Sequence, residues 1–559
     1  MQKTDLRIDI LGTSISISTD EKPEYLDTLL SKYRWAVESV QRLSGLTNPL
    51  KVAILTGFLL CDDLEKLKAS SGDKKSSLEL EQLTSQMILR LDEALGESAS
   101  ETTKDAASGD ASIESVEDDP HKTHVADLPA DDKPVDPPVD SSLFPIPHSA
   151  FFTLQNTVKN YQWGSPEWIP RLLGEENISR IPYAELWMGS HPAGASSVTL
   201  PDGTAIPLPQ IIERDPETFL GEQTAKQFGK LPFLFKLLAV AKPLSIQAHP
   251  NKTQAEKGFQ RENERGISLD APNRNYRDAN HKPELIAAMT PLAALCGFRK
   301  PSEIINRLSG LCKIIGPADS TLALSVALES LIAALSAVHE NPFKAFLSTL
   351  FSMGMQAKST LAPAIKAALP ALERELPHYK DEWHLCAYFA ALHSGDTGIL
   401  SPLYLNLVEL SPNEALYIPS GVLHAYIHGM GVELMADSDN VLRGGLTSKY
   451  IDTGELLKVL TFEEYEPEII TAPKPLLKKF SYPCPATDFT LSLLQSSGDP
   501  IAYTAEEASI VLVTEGSAVI QTEEGGEDVT LTRGSSIFVP HGNKTLLFSG
   551  TFTAFAASR

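Results

Sequence analysis

Gln247 and His249 stand two apart in Ser245-Ile246-Gln247-Ala248-His249-Pro250. On a β-strand alternate side chains share a face, so this amide and this imidazole can reach one metal ion. Two further donors come from elsewhere in the chain. Glu284 ends Asn280-His281-Lys282-Pro283-Glu284, and His424 lies in Pro419-Ser420-Gly421-Val422-Leu423-His424-Ala425-Tyr426. Two imidazoles, one carboxylate and one amide oxygen suit Zn2+ with a position left for water or substrate. With a single carboxylate, such a centre keeps about one unit of positive charge, which can polarise a carbonyl. The expected chemistry is Lewis-acid catalysis with one zinc ion per chain.

The rest of the chain must bring these segments together. Its 559 residues exceed one ordinary core and predict several domains. An apolar fraction of 42% with 21% charged residues is that of a soluble globular protein. The formal charge of −24 argues against nucleic acid or an anionic membrane as partner, so an anionic substrate needs a local basic pocket. Cys61, Cys296, Cys312, Cys386 and Cys484 show no CxxC spacing, which fits reduced thiols and a cytoplasmic location. Asp5, Arg7 and Asp9 interrupt the apolar N-terminus, which does not read as a signal peptide. Runs such as Leu231–Ala241 are broken by Pro232 and Lys236 and are too short to span a bilayer.

Residues 1–95 read as one small α+β unit. Leu6–Gly12 alternates as a half-buried strand, and Gly12-Thr13 turns it into Ser14–Ser18. Thr19-Asp20-Glu21 caps a helix through Tyr25, Leu29, Tyr33 and Val37, and a second helix is expected over Leu50–Leu67. A third, from Leu78 to Leu95, spaces Leu80, Leu83, Met87 and Leu91 as in a short coiled coil. Residues 96–142 contain no aromatic side chain and many acids, the composition of a disordered, self-repelling linker. From Leu143 the chain fills with short strand-like runs and Pro/Gly turns, as in a sandwich or jelly roll. The pattern turns to Ala/Leu-rich helices, such as Leu322–Val338 and Pro363–Leu376, before strands return at Leu403–Leu410. The reading is multidomain, with a first β-rich part over 143–300 and a helical insertion over 301–395. A second β-rich part follows over 396–470, and a small C-terminal barrel over 471–559.

Four segments make residues 151–470 resemble the type I mannose-6-phosphate isomerases, zinc enzymes of the cupin superfamily. They are Tyr161-Gln162-Trp163-Gly164 with Ala184-Glu185-Leu186-Trp187-Met188-Gly189, the Gln247/His249 strand, the His281–Glu284 segment, and the run from Asp437 through Arg443-Gly444-Gly445 to Lys449. The resemblance extends to the chain end. It implies a double cupin, the first catalytic and interrupted by a helical insertion, the second without recognisable metal ligands. Ile8–Gly12, Tyr25-Leu26 and Val52–Leu55 leading to Asp62-Asp63-Leu64 make residues 1–95 resemble the cell-division protein ZapA. That likeness implies self-association through residues 1–95 and binding to the tubulin-like protein FtsZ.

The isomerase resemblance implies interconversion of mannose 6-phosphate and fructose 6-phosphate through a cis-enediolate. Such a reaction moves a proton between adjacent carbons, and a fixed cation facing the developing oxyanion typically contributes about 3–4 kcal/mol. Arg443 is the candidate, because its guanidinium stays charged and forks onto two oxygens. Glu433 could face the cavity as the base or as an orienting carboxylate, or could pair with Arg443 as an ordinary strand salt bridge. Lys282, Lys449 and Ser245 are candidates for the substrate phosphate. No GxxxxGK[ST] or GxGxxG element occurs in the site region, so no nucleotide cofactor is expected. An iron-dependent cupin chemistry and a non-enzymatic sugar-sensing scaffold are the competing readings. The Gln ligand with Arg443 and Lys449 speaks against the first, and the complete Gln247/His249/Glu284/His424/Arg443 set against the second.

Overall fold

The computed structural model describes residues 4–10, 13–19, 150–200, 203–337, 340–473, 478–522, 528–542 and 544–559. The chain divides into two compact units, Met1–Ala126 and Asp127–Arg559. In the first, β1 (Thr4–Ile10) pairs antiparallel with β2 (Thr13–Thr19), setting Leu6 opposite Ile17 and Ile8 opposite Ile15. This is the hairpin that the alternation predicts. The helices expected over 50–67 and 78–95, and the acidic linker 96–142, lie outside the described residues.

The second unit is β-rich. Its strands are β3 (Phe152–Gln155), β4 (Thr157–Lys159), β5 (Glu185–Met188), β6 (Ser197–Thr199), β7 (Ala205–Pro207), β8 (Phe233–Val240), β9 (Ile246–Ala248), β10 (Glu284–Ala288) and β11 (Leu292–Phe298). After the helices come β12 (Leu405–Leu410), β13 (Glu414–Ile418), β14 (His424–Ala436), β15 (Leu442–Gly445) and β16 (Ile469–Thr471). The C-terminal set is β17 (Lys479–Ser481), β18 (Thr490–Ser497), β19 (Ile501–Ala505), β20 (Ser509–Thr522), β21 (Val529–Thr532), β22 (Ser536–Val539), β23 (Lys544–Ser549) and β24 (Thr551–Ser558).

One sheet runs β16-β13-β10-β14-β8-β5-β4, with β11 and β9 also paired to β14, β12 to β11 and β15 to β9. The long strand β14 is its spine. Every residue of β8 is buried, which is why this strand reads as an apolar run rather than an alternation. Gly429, at φ 125, lets β14 bend where a Cβ would meet the Pro291 carbonyl at 2.6 Å, beside the register shift at Ala293/Ala294. The other sheet runs β17-β18-β24-β20-β22-β3-β6-β7, so three early strands complete the C-terminal layer. Phe235, Leu237, Leu285 and Ala287 of the first sheet share one core with Leu491, Leu493, Ile510, Leu512 and Phe538 of the second. Each fully buried Leu, Ile or Phe contributes about 1.5–3 kcal/mol, so this shared core fuses the two layers into one body. The other face of the C-terminal layer is filled by Val511, Val513, Ile520, Leu546, Phe548 and their neighbours.

Between β11 and β12 stand helices Pro301–Ile315, Leu322–Ser336, Pro342–Phe351, Met355–Glu375 and Lys380–Leu392. The helix expected to begin at Pro363 starts at Met355 instead and carries Pro363 and Pro370 inside it. An internal proline forfeits a backbone hydrogen bond. Here burial of Leu361, Ile365 and Leu372 outweighs that loss. The buried Glu382 accepts from Arg299 at 3.2 Å and Arg307 at 3.0 Å, tying the end of β11 to the helices.

Candidate metal centre and active site

β9 is hydrogen-bonded on both sides, to β14 with Gln247 opposite His424, and to β15 with Gln247 opposite Arg443. Across β14, β10 begins at Glu284, whose register partner is Met435. This pairing brings the four expected donors together at one end of the first sheet. His249 Nε2 lies 3.2 Å from Glu284 Oε1, and His424 Nε2 lies 3.2 Å from Glu284 Oε2. The two imidazole centroids are 5.1 Å apart, and Gln247 Nε2 is 3.4 Å from His424 Nε2. Rotating the Gln247 amide about its last bond presents Oε1, the atom a cation would take. His249, Glu284 and His424 form the candidate metal-binding cluster found among the described residues, and all three are buried.

Both rings are held from behind. His249 Nδ1 donates to the Asn440 carbonyl at 2.7 Å, and His424 Nδ1 to the Val422 carbonyl at 3.0 Å. With Nδ1 engaged behind each ring, both Nε2 atoms face the Glu284 carboxylate and are placed to ligate a cation. His249 Nε2 and Glu284 Oε2 are buried without a hydrogen-bond partner. Lone pairs and an anion converging on one dry point is an arrangement that a divalent cation satisfies and that is costly without one. Burial, then the charge of Lys282, pushes His249 down to about 4, so it is neutral near pH 7. Burial opposes ionisation of Glu284, but the Lys282 ammonium, 3.1 Å away, holds it below the usual carboxylate range.

The turn before His424 is shaped by Gly421, at φ 85, where a Cβ would stand 2.5 Å from Thr461 Oγ1. Its amide donates to the His249 carbonyl at 2.8 Å, so the two histidine segments are locked to each other. Asn440, fully buried, accepts from the Arg277 amide at 2.7 Å and donates to the carbonyls of Asp278 and Asn280. One side chain thereby anchors the loop leading to Lys282 and Glu284.

Farther along β14, Glu433 is buried opposite Lys236 of β8. The strand salt bridge considered between Glu433 and Arg443 is not what forms. Lys236 Nζ stands 3.4 Å from Glu433 and 3.7 Å from Glu185, because antiparallel register sets Lys236 directly opposite Glu433 on β14 and diagonal to Glu185 on β5, whose own partner is Leu238. Burial first, and the Glu284 charge second, raise the proton affinity of Glu433 against the pull of Lys236 and Lys282. Burial alone would lower Lys236, but Glu185 and Glu433 hold it above its usual value. One cation between two carboxylates leaves this triad one proton short of neutral.

Arg443 is half-buried on β15, its guanidinium lowered by burial and then by the neighbouring charge of Arg277. Ser245 is half-buried two residues before Gln247, and Lys449 is exposed on the loop after β15, outside the buried cluster. Tyr161, stacked on Trp163 at 5.9 Å, is pushed up to about 12 by burial and then Glu185, with smaller effects from Lys236, Asp439 and Arg277. It therefore stands where those charges converge.

Comparison with known proteins identifies the family. Residues 151–301 match the family described as phosphomannose isomerase type I, catalytic domain, and residues 6–97 match cell division protein ZapA. Mannose-6-phosphate isomerase of Shigella flexneri is 38% identical over 398 residues, covering 71% of this chain and 96% of the relative. The Escherichia coli enzyme is likewise 38% identical over 398 residues, with 96% of it covered. The chain belongs to the type I mannose-6-phosphate isomerase family. A zinc-bound crystal structure of a mannose 6-phosphate isomerase superposes with a TM-score of 0.65 at 36% identity, covering 74% of this chain and all of that one. The Salmonella typhimurium enzyme bound to its substrate fructose 6-phosphate and zinc matches with the same coverage and a TM-score of 0.65.

Within this isomerase-family site, sequence reasoning passed over Lys236, Glu185 and Arg277. The signal for Lys236 was present, since it is the lone ionisable residue of an otherwise apolar strand. A lysine is almost never buried there without partners.

Proposed function

We propose that this chain is a zinc-dependent isomerase that interconverts mannose 6-phosphate and fructose 6-phosphate. The observation that carries the reading is the convergence of two oriented imidazole lone pairs on the buried Glu284 carboxylate. Gln247, His249, Glu284 and His424 would hold the ion, and their single carboxylate leaves it electrophilic. Bound there, Zn2+ supplies the Lewis acid that polarises the sugar carbonyl.

The remaining work belongs to side chains. Glu433, with its proton affinity raised, takes the proton from one carbon and returns it to the next, the sugar passing through a cis-enediolate. Lys236 holds that carboxylate in place and favours its ionised form before it accepts the proton, the negative charge then passing to the enediolate. Arg443, one strand from Gln247, offers its fork to the developing oxyanion. Ser245, Lys282 and Lys449 form the phosphate grip, and Lys282 has the second task of keeping Glu284 ionised. We read the two β-layers as cupins, the catalytic one drawn from 143–300 and 396–470 around the 301–395 insertion, and the one without metal from 471–559 completed by the early strands β3, β6 and β7, which the sequence ranges alone assign to the catalytic part. Residues 1–95, matched to ZapA, are read as an association module that binds its own copy and an FtsZ-like division protein in the cytoplasm.

A coupled assay of the purified chain with mannose 6-phosphate, before and after chelation, tests the reading, with metal content measured in parallel. Turnover that follows zinc supports it. Absence of isomerisation in protein carrying one zinc per chain overturns it.

A further inference from the structure

The segment carrying Lys282 and Glu284 is gripped from the C-terminal layer. His281 Nε2 is bonded at 2.9 Å to Asp488, on the connection between β17 and β18. The Asp488 side chain is only 5% exposed and its imidazole partner 27% exposed. A buried carboxylate holds its place only where its surroundings are fixed, and these are. Tyr482 and Phe489 flank the connection, each 1% exposed within the core shared by both layers. The Tyr482 hydroxyl donates to the Asn413 carbonyl at 2.9 Å, and its amide to the Leu491 carbonyl at 2.9 Å. On the other side, His281 precedes Lys282 directly, and Lys282 reaches Glu284 at 3.1 Å. Residues 281–283 lie before β10 begins at Glu284, held at one end by the Asn440 amide on the Asn280 carbonyl and at the other by the Ala436 amide on the Pro283 carbonyl at 3.3 Å, and the His281 side chain adds a third tie, to the other layer.

We infer that Asp488 is a positioning residue for the isomerase site, acting through His281 to fix the Lys282–Glu284 segment. The C-terminal layer, its other face filled by its own apolar core, then serves catalysis by supplying this clamp rather than by binding a ligand. The inference rests on the isomerase reading above but has a readout independent of turnover.

The test is a double-mutant cycle in the full chain: Asp488→Asn, His281→Asn and both together. Each is measured for kcat, KM, thermal midpoint and Zn2+ affinity by competition with a chromophoric chelator. Loss of a residue that orients a ligand segment typically costs about 10–100-fold in affinity or activity. Each single variant should therefore lose about 10-fold in kcat and in zinc affinity, with KM within about 3-fold, whereas a fall in thermal midpoint alone, with kcat and zinc affinity unchanged, would mark a merely structural pair and overturn the inference. The double variant should be no worse than the poorer single one, because both remove the same clamp. Wild-type kcat and zinc affinity in Asp488→Asn, or additive losses in the double variant, overturn the inference. If Asp488→Asn does not fold, His281→Asn decides alone, and unchanged kcat and zinc affinity in it sink the clamp. A wild-type chain that binds zinc but isomerises nothing would remove the isomerase reading, while the zinc competition still judges Asp488.

Discussion

Replacing Lys236 by Met takes the only cation from between two buried carboxylates, and the damage should depend on pH. At 3.4 and 3.7 Å, each ion pair is worth roughly 4–5 kcal/mol of gross attraction at an effective dielectric of about 20. Desolvation takes back part of that, and removing one partner of a buried pair usually costs about 3–5 kcal/mol. Met keeps the stem packed near Trp187, whose ring lies 5.1 Å from Nζ, so little packing is lost. The proton affinity of Glu433 is already raised, and without Lys236 it rises further. A carboxyl whose folded pKa exceeds its unfolded value of about 4.3 binds protons more tightly when folded, so stability falls as pH climbs between the two values. The variant should therefore be weaker than wild type by about 3–5 kcal/mol at pH 8 and by about 1–2 kcal/mol at pH 5. Urea unfolding of both proteins at pH 5, 6.5 and 8 measures the difference directly. A deficit of equal size at pH 5 and pH 8 would refute the electrostatic argument and leave Lys236 a packing residue.

The other predictions concern metal, rate and modularity. Dialysis against a strong chelator should abolish turnover and Zn2+ should restore it, while His249→Ala should lose both metal and activity; full activity in verified metal-free protein would sink the zinc reading. Arg443→Ala should lower kcat by roughly 100-fold with little change in thermal midpoint, and a collapse of stability with kcat preserved would make Arg443 structural. Glu433→Gln should flatten the acid limb of kcat/KM, which in wild type should lie above the ordinary carboxylate range because burial and Glu284 raise that group; a limb unchanged in the variant assigns it elsewhere. A chain beginning near Leu143 should keep kcat/KM within a few-fold, and the 1–95 fragment should dimerise in sedimentation; an inactive truncation or a monomeric fragment rejects separability or association respectively.

The two candidate donors on β9 were legible because their spacing survives folding. Gln247 and His249 share a face on any strand, and no tertiary knowledge is needed to see it. The N-terminal hairpin and the helices after Pro301 were legible for the same reason, being set by local periodicity. Partners chosen by sheet register were not. Nothing in Phe152–Gln155 shows that it pairs with β22 near the chain end. Glu433 finds Lys236 rather than Arg443 only because β14 lies against β8, and His281 finds Asp488 only because two layers share a core. Lys236 itself was read as a break in an apolar run, when its burial should have asked which anions meet it.

The charges around the site also explain how a chain of net charge −24 can take an anionic sugar phosphate. The groups that act on one another here are the cations Lys236, Lys282, Arg277 and Arg443, and the anions Glu185, Glu284, Glu433 and Asp439. Four against four leave the protein's own contribution near zero. Asp439, whose carboxyl the His191 hydrogen bond and charge hold down at about 2 against the effect of burial, stays ionised at any working pH and cannot relieve the balance. A divalent cation at Glu284 then makes the local sum about +2, the charge that a phosphate monoester of roughly −1.5 to −2 at neutral pH requires. On this account the ion has an electrostatic consequence beyond polarising the carbonyl, since without it the pocket has no net attraction for substrate. Zinc removal should raise KM as well as suppress kcat, and the rise should shrink with added salt because screening weakens the attraction that is lost.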